Sequence, residues 1–257
     1  MIQKAIEYIV GLSKPNQIIY NDEIFADKKM NRIRVGISAE TVKLKTLTSL
    51  IDYIRENTGV FFERKIIVQV VSPTCIRVFA QNSEERDLET KEYLEVNAGV
   101  PQFKFGYWYD NEEFVINVMS KFISSSYESI AGGVRNDKDD VLQFAGTVQD
   151  GTVANYGDNG ISQSATIKTG ILDVEDRIIP NPVHLMPYRT FIEVEQPTSQ
   201  FIFRMKSGRG DGVSCALFEA DGGAWENEAM QNVKCYLVSE FEKMKEQLKD
   251  LKITVIA

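Results

Sequence analysis

The chain has 257 residues, 43% of them hydrophobic and 26% charged, enough for one large domain or two modest ones with a sizeable core. Acidic residues number 37 against 29 basic ones, and the net charge of −8 opposes non-specific attraction to phosphate backbones and anionic membranes, so duplex DNA is disfavoured as a partner. The opening stretch carries Lys4 and Glu7 inside its apolar run, no run of ~20 apolar residues offers a membrane span, and Cys75, Cys215 and Cys235 form no CxxC pair; together these point to reduced thiols in a cytoplasmic protein with no secretory signal and no membrane partner.

In chain order, Ile2, Ala5, Ile6, Ile9 and Val10 recur at helical spacing and predict a short helix over residues 2–13, stopped near Gly11 and Pro15. Leu47, Leu50, Ile51 and Ile54 line one face of a second helix, Thr48–Asn57, with Gly59 as its stop. Lys65–Val71 and Cys75–Ala80 are rich in Val and Ile and are joined by Ser72–Pro73–Thr74, which reads as a hairpin. Gln81–Lys91 is polar and reads as an exposed connection. Phe103, Phe105, Tyr107 and Tyr109 alternate with Lys104, Gly106 and Trp108, the period of a strand with one aromatic face. Asn111 stands where an N-cap would, ahead of Glu112, Glu113 and the stripe Phe114, Val115, Val118, Met119, Phe122.

From Ser124 to Asp140 the sequence turns small, glycine-containing and then charged, which predicts a soft boundary between two lobes. Residues 147–172 read as hairpins of an antiparallel sheet, continued by strands at Tyr188–Val194, Gln200–Arg204 and Val213–Glu219. Gly222 and Gly223 then lead into a long amphipathic helix, Trp225–Lys249, and Ile253–Ile256 reads as a last strand. The expected fold is α+β: antiparallel sheets with flanking helices and a long C-terminal amphipathic helix. A helix and hairpin lobe fills residues 1–125 and an antiparallel β lobe with the C-terminal helix fills 126–257, the alternative being one continuous domain.

Little in the sequence looks like chemistry. His184 is the only histidine, which removes every site needing two imidazoles, and it lies between Pro182 and Pro187 with no GxSxG nearby. Asp137, Asp139 and Asp140, and further on Asp150, Asp158 and Asn159, lack the spacing of a calcium loop and read as solvated turns. Gly208–Arg209–Gly210–Asp211–Gly212 lacks the Lys-Ser/Thr of a phosphate loop and reads as a hairpin tip. No catalytic residue, cofactor or metal is expected. The aromatic row Phe103, Phe105, Tyr107, Trp108 and Tyr109 is the one candidate for stacking a ligand or single-stranded nucleic acid, with core packing as its alternative. Trp225, Tyr236, Phe241 and Met244 on the last helix are the candidate interface.

The blocks LKTLTSLIDYI at Leu44–Ile54, VVSPTCIRVF at Val70–Phe79, FGYWYDNEEFVI at Phe105–Ile116, DNGISQSATIKTG at Asp158–Gly170, and NPVHLMPYRTFIEVEQPTSQFIFRM followed by ALFEADGGAWENEA resemble, in this order, the YfdQ-like family of phage and prophage proteins. The resemblance covers most of the chain and implies a phage-encoded protein made in the cytoplasm of its bacterial host. It carries no catalytic residues across. The resulting expectation is a non-enzymatic protein that partners itself in a homo-oligomer, up to a large closed assembly. The alternatives are a binding protein that inhibits or sequesters a host protein, and an accessory to phage DNA metabolism that binds single strands.

Overall fold

The computed structural model describes residues 17–20, 23–26, 31–33, 41–61, 64–82, 90–124, 135–150, 152–158, 163–169, 173–178, 181–207, 213–246, 248–249 and 251–257. Contacts divide the chain into two units, Met1–Glu40 and Thr41–Ala257. The first holds an antiparallel meander of β1 (Gln17–Tyr20), β2 (Glu23–Ala26) and β3 (Asn31–Ile33), with β2 in the middle. The helix expected over residues 2–13 lies outside the described residues.

The second unit opens with β4 (Val42–Leu44) and α1 (Leu47–Glu56). Thr46 is the N-cap: its backbone is extended and its Oγ1 accepts the Ser49 N–H at 3.1 Å. Glu193, far away in the chain, accepts the next two orphan donors, Leu47 N at 2.8 Å and Thr48 N at 3.3 Å, and places its charge at the positive end of the helix dipole. The stop expected at Gly59 comes earlier. Asn57 takes the Tyr53 carbonyl with both its backbone and side-chain nitrogens, and Gly59 sits inside a further short helix, α2 (Thr58–Phe61).

The hairpin forms as read, β5 (Arg64–Ser72) against β6 (Cys75–Asn82), and β7 (Thr90–Asn97) adds a third antiparallel strand. The connection expected over Gln81–Lys91 is therefore strand at both ends; beyond it β7 continues with Leu94 and Val96 buried on either side of Glu95. The C-terminal β15 (Lys252–Ile256) joins β5 in parallel and β4 joins β7 in parallel, so the sheet is mixed, in the order β15-β5-β6-β7-β4. α1 and α5 (Ala224–Lys243) bury Leu47, Leu50, Ile54, Val233 and Leu237 against Ile66, Val68, Ile76, Val78 and Leu94 to form the first core. α5 is shorter than its expected run to Lys249, because Met244 caps it and the chain turns back toward β15.

A second core lies on the four-stranded antiparallel sheet β12 (Val183–Leu185), β13 (Ser199–Ser207), β14 (Val213–Glu219) and β8 (Tyr109–Asp110), covered by α3 (Asn111–Lys121) and α4 (Lys138–Asp150). The aromatic strand expected over Phe103–Tyr109 is instead a loop with a tight turn. Tyr107 N donates to the Lys104 carbonyl at 3.4 Å, and Gly106 takes φ of 74°, which breaks the two-residue period: Phe103, Phe105 and Tyr109 pack on the second core while Tyr107 is left exposed. Asp110 rather than Asn111 occupies the N-cap of α3; Asn111 is buried one step inside and donates to the Ala145 carbonyl on α4 at 2.8 Å. The acids expected as a solvated turn, Asp139 and Asp140, are the first turn of α4.

β9 (Thr152–Asp158), β10 (Gln163–Thr169) and β11 (Asp173–Ile178) form the expected antiparallel hairpins, but as a separate sheet that β13 and β14 do not continue. The lobe boundary expected near residue 125 is crossed twice, by the pairing of β15 with β5 and of β8 with β14.

The strand expected over Tyr188–Val194 is irregular, and Gln196 is the reason. Its carboxamide is 3% exposed, accepts the Arg189 and Thr190 N–H groups at 2.9 and 3.1 Å, and donates to the Phe191 and Val194 carbonyls at 2.9 and 3.3 Å. The loop closes on this side chain instead of on a strand partner. Thr190 Oγ1 donates to the Pro73 carbonyl at 2.5 Å, and Phe191 and Val194 enter the first core, so the segment ties the two cores together.

Gln196→Ala orphans the buried Arg189 and Thr190 N–H groups and takes a donor from the Phe191 and Val194 carbonyls, and should lower unfolding stability by about 2–4 kcal/mol in urea titration, while Gln200→Ala at an exposed site changes it by less than about 0.5 kcal/mol. Cys215, fully buried on β14, has its thiol pushed up to about 12 by burial. The fold keeps this thiol protonated while the unfolded chain ionises it, so its contribution is intact below about pH 9 and is lost as pH rises toward 12. Between about pH 9 and 11 the urea midpoint of the unmodified protein should fall more steeply than that of Cys215→Ala.

Candidate functional site

Ile253, Thr254, Val255 and Ile256 are β-branched and favour extended backbone, which makes Lys252–Ile256 a strand on propensity alone. Its pairing with β5 runs from Lys252 opposite Lys65 to Ile256 opposite Gln69. Ile253 and Val255 turn toward the helix-covered side and pack against the first core, while Lys252, Thr254 and Ile256 lie exposed on the other face. On its far side β15 pairs with no strand among the described residues of this unit. It also lacks the proline, bulge or row of charges that usually blunts such an edge; Lys252 is its one charged residue.

Beside this edge lies a groove of about 390 Å³ between β15 and the end of α5. It forms because α5 stops at Met244 and the chain returns to the sheet through two tight turns, with Leu248 N bonded to the Met244 carbonyl and Leu251 N to the Leu248 carbonyl. Val238, Leu248, Leu251, Ile253 and Val255 give it an apolar floor, and Glu242, Lys245 and Lys249 give it a rim of both charges. Val238 is 36% exposed there, an apolar side chain left outside both cores.

The interface candidates of α5 fall mostly on its inner face. Phe241 belongs to the first core, Tyr236 and Met244 are partly buried against it, and Trp225 stacks on Arg189 with the guanidinium carbon 4.4 Å from its ring centroid. Of these candidates Phe241 also lines the groove, and it is joined there on α5 by Glu242 and by Val238, one residue past the expected stripe. The sequence reading missed Val238 because it lies just off the helical stripe that Val233, Tyr236, Leu237 and Phe241 define.

The aromatic row is split by the Gly106 turn. Phe103 and Tyr109 are buried, and Phe105 stacks on Phe201 with centroids 5.1 Å apart. Tyr107 is 50% exposed with the Lys104 ammonium 5.6 Å from its ring centroid, and Trp108 packs on Phe218 with the Lys206 ammonium 4.2 Å from its own. Tyr109 accepts the Lys104 N–H at 2.9 Å, and its phenol lies above the usual range chiefly because it is buried.

His184 serves a latch. Its backbone N–H donates to Asp137 Oδ2 at 2.8 Å and its carbonyl accepts the Asp137 N–H at 2.8 Å, fastening β12 to the start of α4, while Nδ1 lies 3.6 Å from the same carboxylate and Nε2 lies 3.4 Å from Gln200 Nε2. Arg135 donates to the other Asp137 oxygen at 2.8 Å. The 208–212 tip lies outside the described residues. Among the described residues no three His, Cys, Asp or Glu side chains gather as a metal cluster, and no helix is long and apolar enough to cross a membrane. No protein-family model matches the chain, and no curated protein or solved structure is detectably similar to it.

Proposed function

We propose that the protein is a self-associating subunit of phage or prophage origin that acts by assembly rather than catalysis, its basic contact being β15 paired antiparallel with β15 of a second copy across a two-fold axis. The observation that carries this reading is the β15 edge, unpaired among the described residues, beside an apolar groove. A strand added at a sheet edge gains main-chain bonds, and its alternate side chains fill pockets beside that edge. Centred on Thr254, the pairing engages all five residues of both strands. Ile253 of each copy meets Val255 of the other on the groove side, Lys252 meets Ile256, and no like charges face one another. The rim is self-complementary too, since Glu242 can answer Lys245 and Lys249 of the other copy. The phage origin is supported by the sequence blocks that resemble the YfdQ-like family.

A second reading, binding of single-stranded DNA, draws support from Tyr107 and Trp108 with Lys104 and Lys206 beside their rings. It predicts that Tyr107→Ala with Trp108→Ala removes single-strand affinity, and affinity retained in that variant eliminates the loop as the site.

For the assembly reading, light scattering on a sizing column should give the unmodified protein a mass that is a multiple of 29.1 kDa. Thr254→Lys sets two ammonium groups opposite each other at the dyad, with Cβ atoms about 5 Å apart. It should reduce the mass to 29.1 kDa with an unchanged circular dichroism spectrum. An unmodified protein that is monomeric at every accessible concentration overturns the reading.

A further inference from the structure

Arg189 follows Pro187 and Tyr188 as the chain leaves β12, and its backbone is fixed by the Gln196 carboxamide and by the bond from Tyr188 N to the Lys121 carbonyl. The residue is 8% exposed. Trp225, Phe105 and Phe201 cover the guanidinium with ring centroids 4.4, 4.9 and 5.1 Å from its central carbon, and Nη1 donates to Glu219 Oε1 at 2.9 Å. Nε and Nη2 are buried and make no hydrogen bond among the described residues. Aromatic faces attract the cation but accept nothing from the donors in its plane, and buried donors without an acceptor are rare because they are costly.

Nε–H and one Nη2–H point the same way, and together they form the fork that grips a carboxylate through two parallel bonds. Burial lowers the Arg189 pKa to about 10 although Glu219, Asp221 and Glu226 act in the opposite direction, and the group is cationic at neutral pH. The same side chain lines a cleft of about 260 Å³. Lys121, whose ammonium donates to the Gln102 carbonyl at 2.5 Å, lines it as well, and Val100, Phe103 and Phe105 contribute apolar wall. Two cations and no acid line this cleft, in a chain whose net charge is −8.

We propose that the cleft binds a small monocarboxylate with an apolar body, the Arg189 Nε/Nη2 fork holding the carboxylate, Lys121 drawing it in, and Phe103, Phe105 and Val100 flanking the body. A phosphate fits less well, because one fork and one ammonium already bonded to a carbonyl are few donors for a dianion with no apolar part. The volume is below the ~300–1,000 Å³ of pockets for drug-sized ligands, which limits the body to about one ring or a short branched chain. Both fork nitrogens are covered in this structure, so the ligand reaches them by displacing the Trp225 ring on the first turn of α5.

That displacement supplies the readout. Trp108→Phe leaves Trp225 as the sole tryptophan of the two, and its fluorescence is followed while 3-phenylpropionate, the uncharged 3-phenylpropionamide or inorganic phosphate is added. A saturable change with the carboxylate is expected, at least about tenfold weaker with the amide and in Arg189→Lys, which keeps the charge but loses the fork, and about threefold weaker in Lys121→Gln. The proposal is overturned by the absence of any saturable change up to about 10 mM, well above a weak Kd of about 1 mM, by equal affinity for the amide, or by tighter binding of phosphate. Should Arg189→Lys fail to fold, the carboxylate and amide comparison in the protein that retains Arg189 decides the matter alone.

Discussion

The carboxamide of Gln196 is the interaction on which the second unit depends. Four backbone groups of residues 189–194 end on one side chain, and with them satisfied the loop can be buried at all, since an unpaired backbone group in an apolar interior is too costly to keep. Once folded, that loop does three jobs in six residues. Phe191 and Val194 extend the first core, Glu193 caps α1 from outside, and Arg189 is held under the aromatic rings of the second core. The two cores are therefore coupled through a loop without regular structure of its own, and a change that loosens Gln196 is felt in both.

The parts of this fold that were legible in the sequence are those whose partners lie a few residues away. The spacing of Leu47, Leu50, Ile51 and Ile54 specifies α1, the Val and Ile runs on either side of Pro73 specify the hairpin, and the four β-branched residues from Ile253 specify β15. Where a distant group decides, the local pattern misleads. Tyr188–Val194 has strand composition, yet Gln196 offers its backbone better partners than a neighbouring strand does. Phe103–Tyr109 alternates well until Gly106 adopts a conformation that only glycine holds without strain. The acids at 137–140 look like a turn, and α4 was hidden behind them although Val141, Phe144 and Ala145 recur at helical spacing. The groove and the Arg189 cleft left no trace in the sequence, because each is made by segments more than a hundred residues apart or by the way a helix ends.

α5 carries a proposed contact at each end. Trp225 closes the cleft at its first turn, and Val238 and Glu242 border the groove near its last, in a helix about 30 Å long by its rise per residue. The stretch between them is anchored by Ala229, Val233 and Leu237, all fully buried.

The parallel pairing of β15 with β5 has a consequence for how the molecule is made. Lys65 waits for Lys252, a separation of 252 − 65 = 187 residues. At a synthesis rate of about 5–20 residues per second, the edge of β5 stands uncovered for roughly ten to forty seconds after it leaves the ribosome, with Ile66, Val68 and Val70 on one face of it. Contacts this distant also slow folding, since the loop must close before the pairing can stabilise it. The newborn chain thus offers neighbouring chains an aliphatic strand before its own β15 exists.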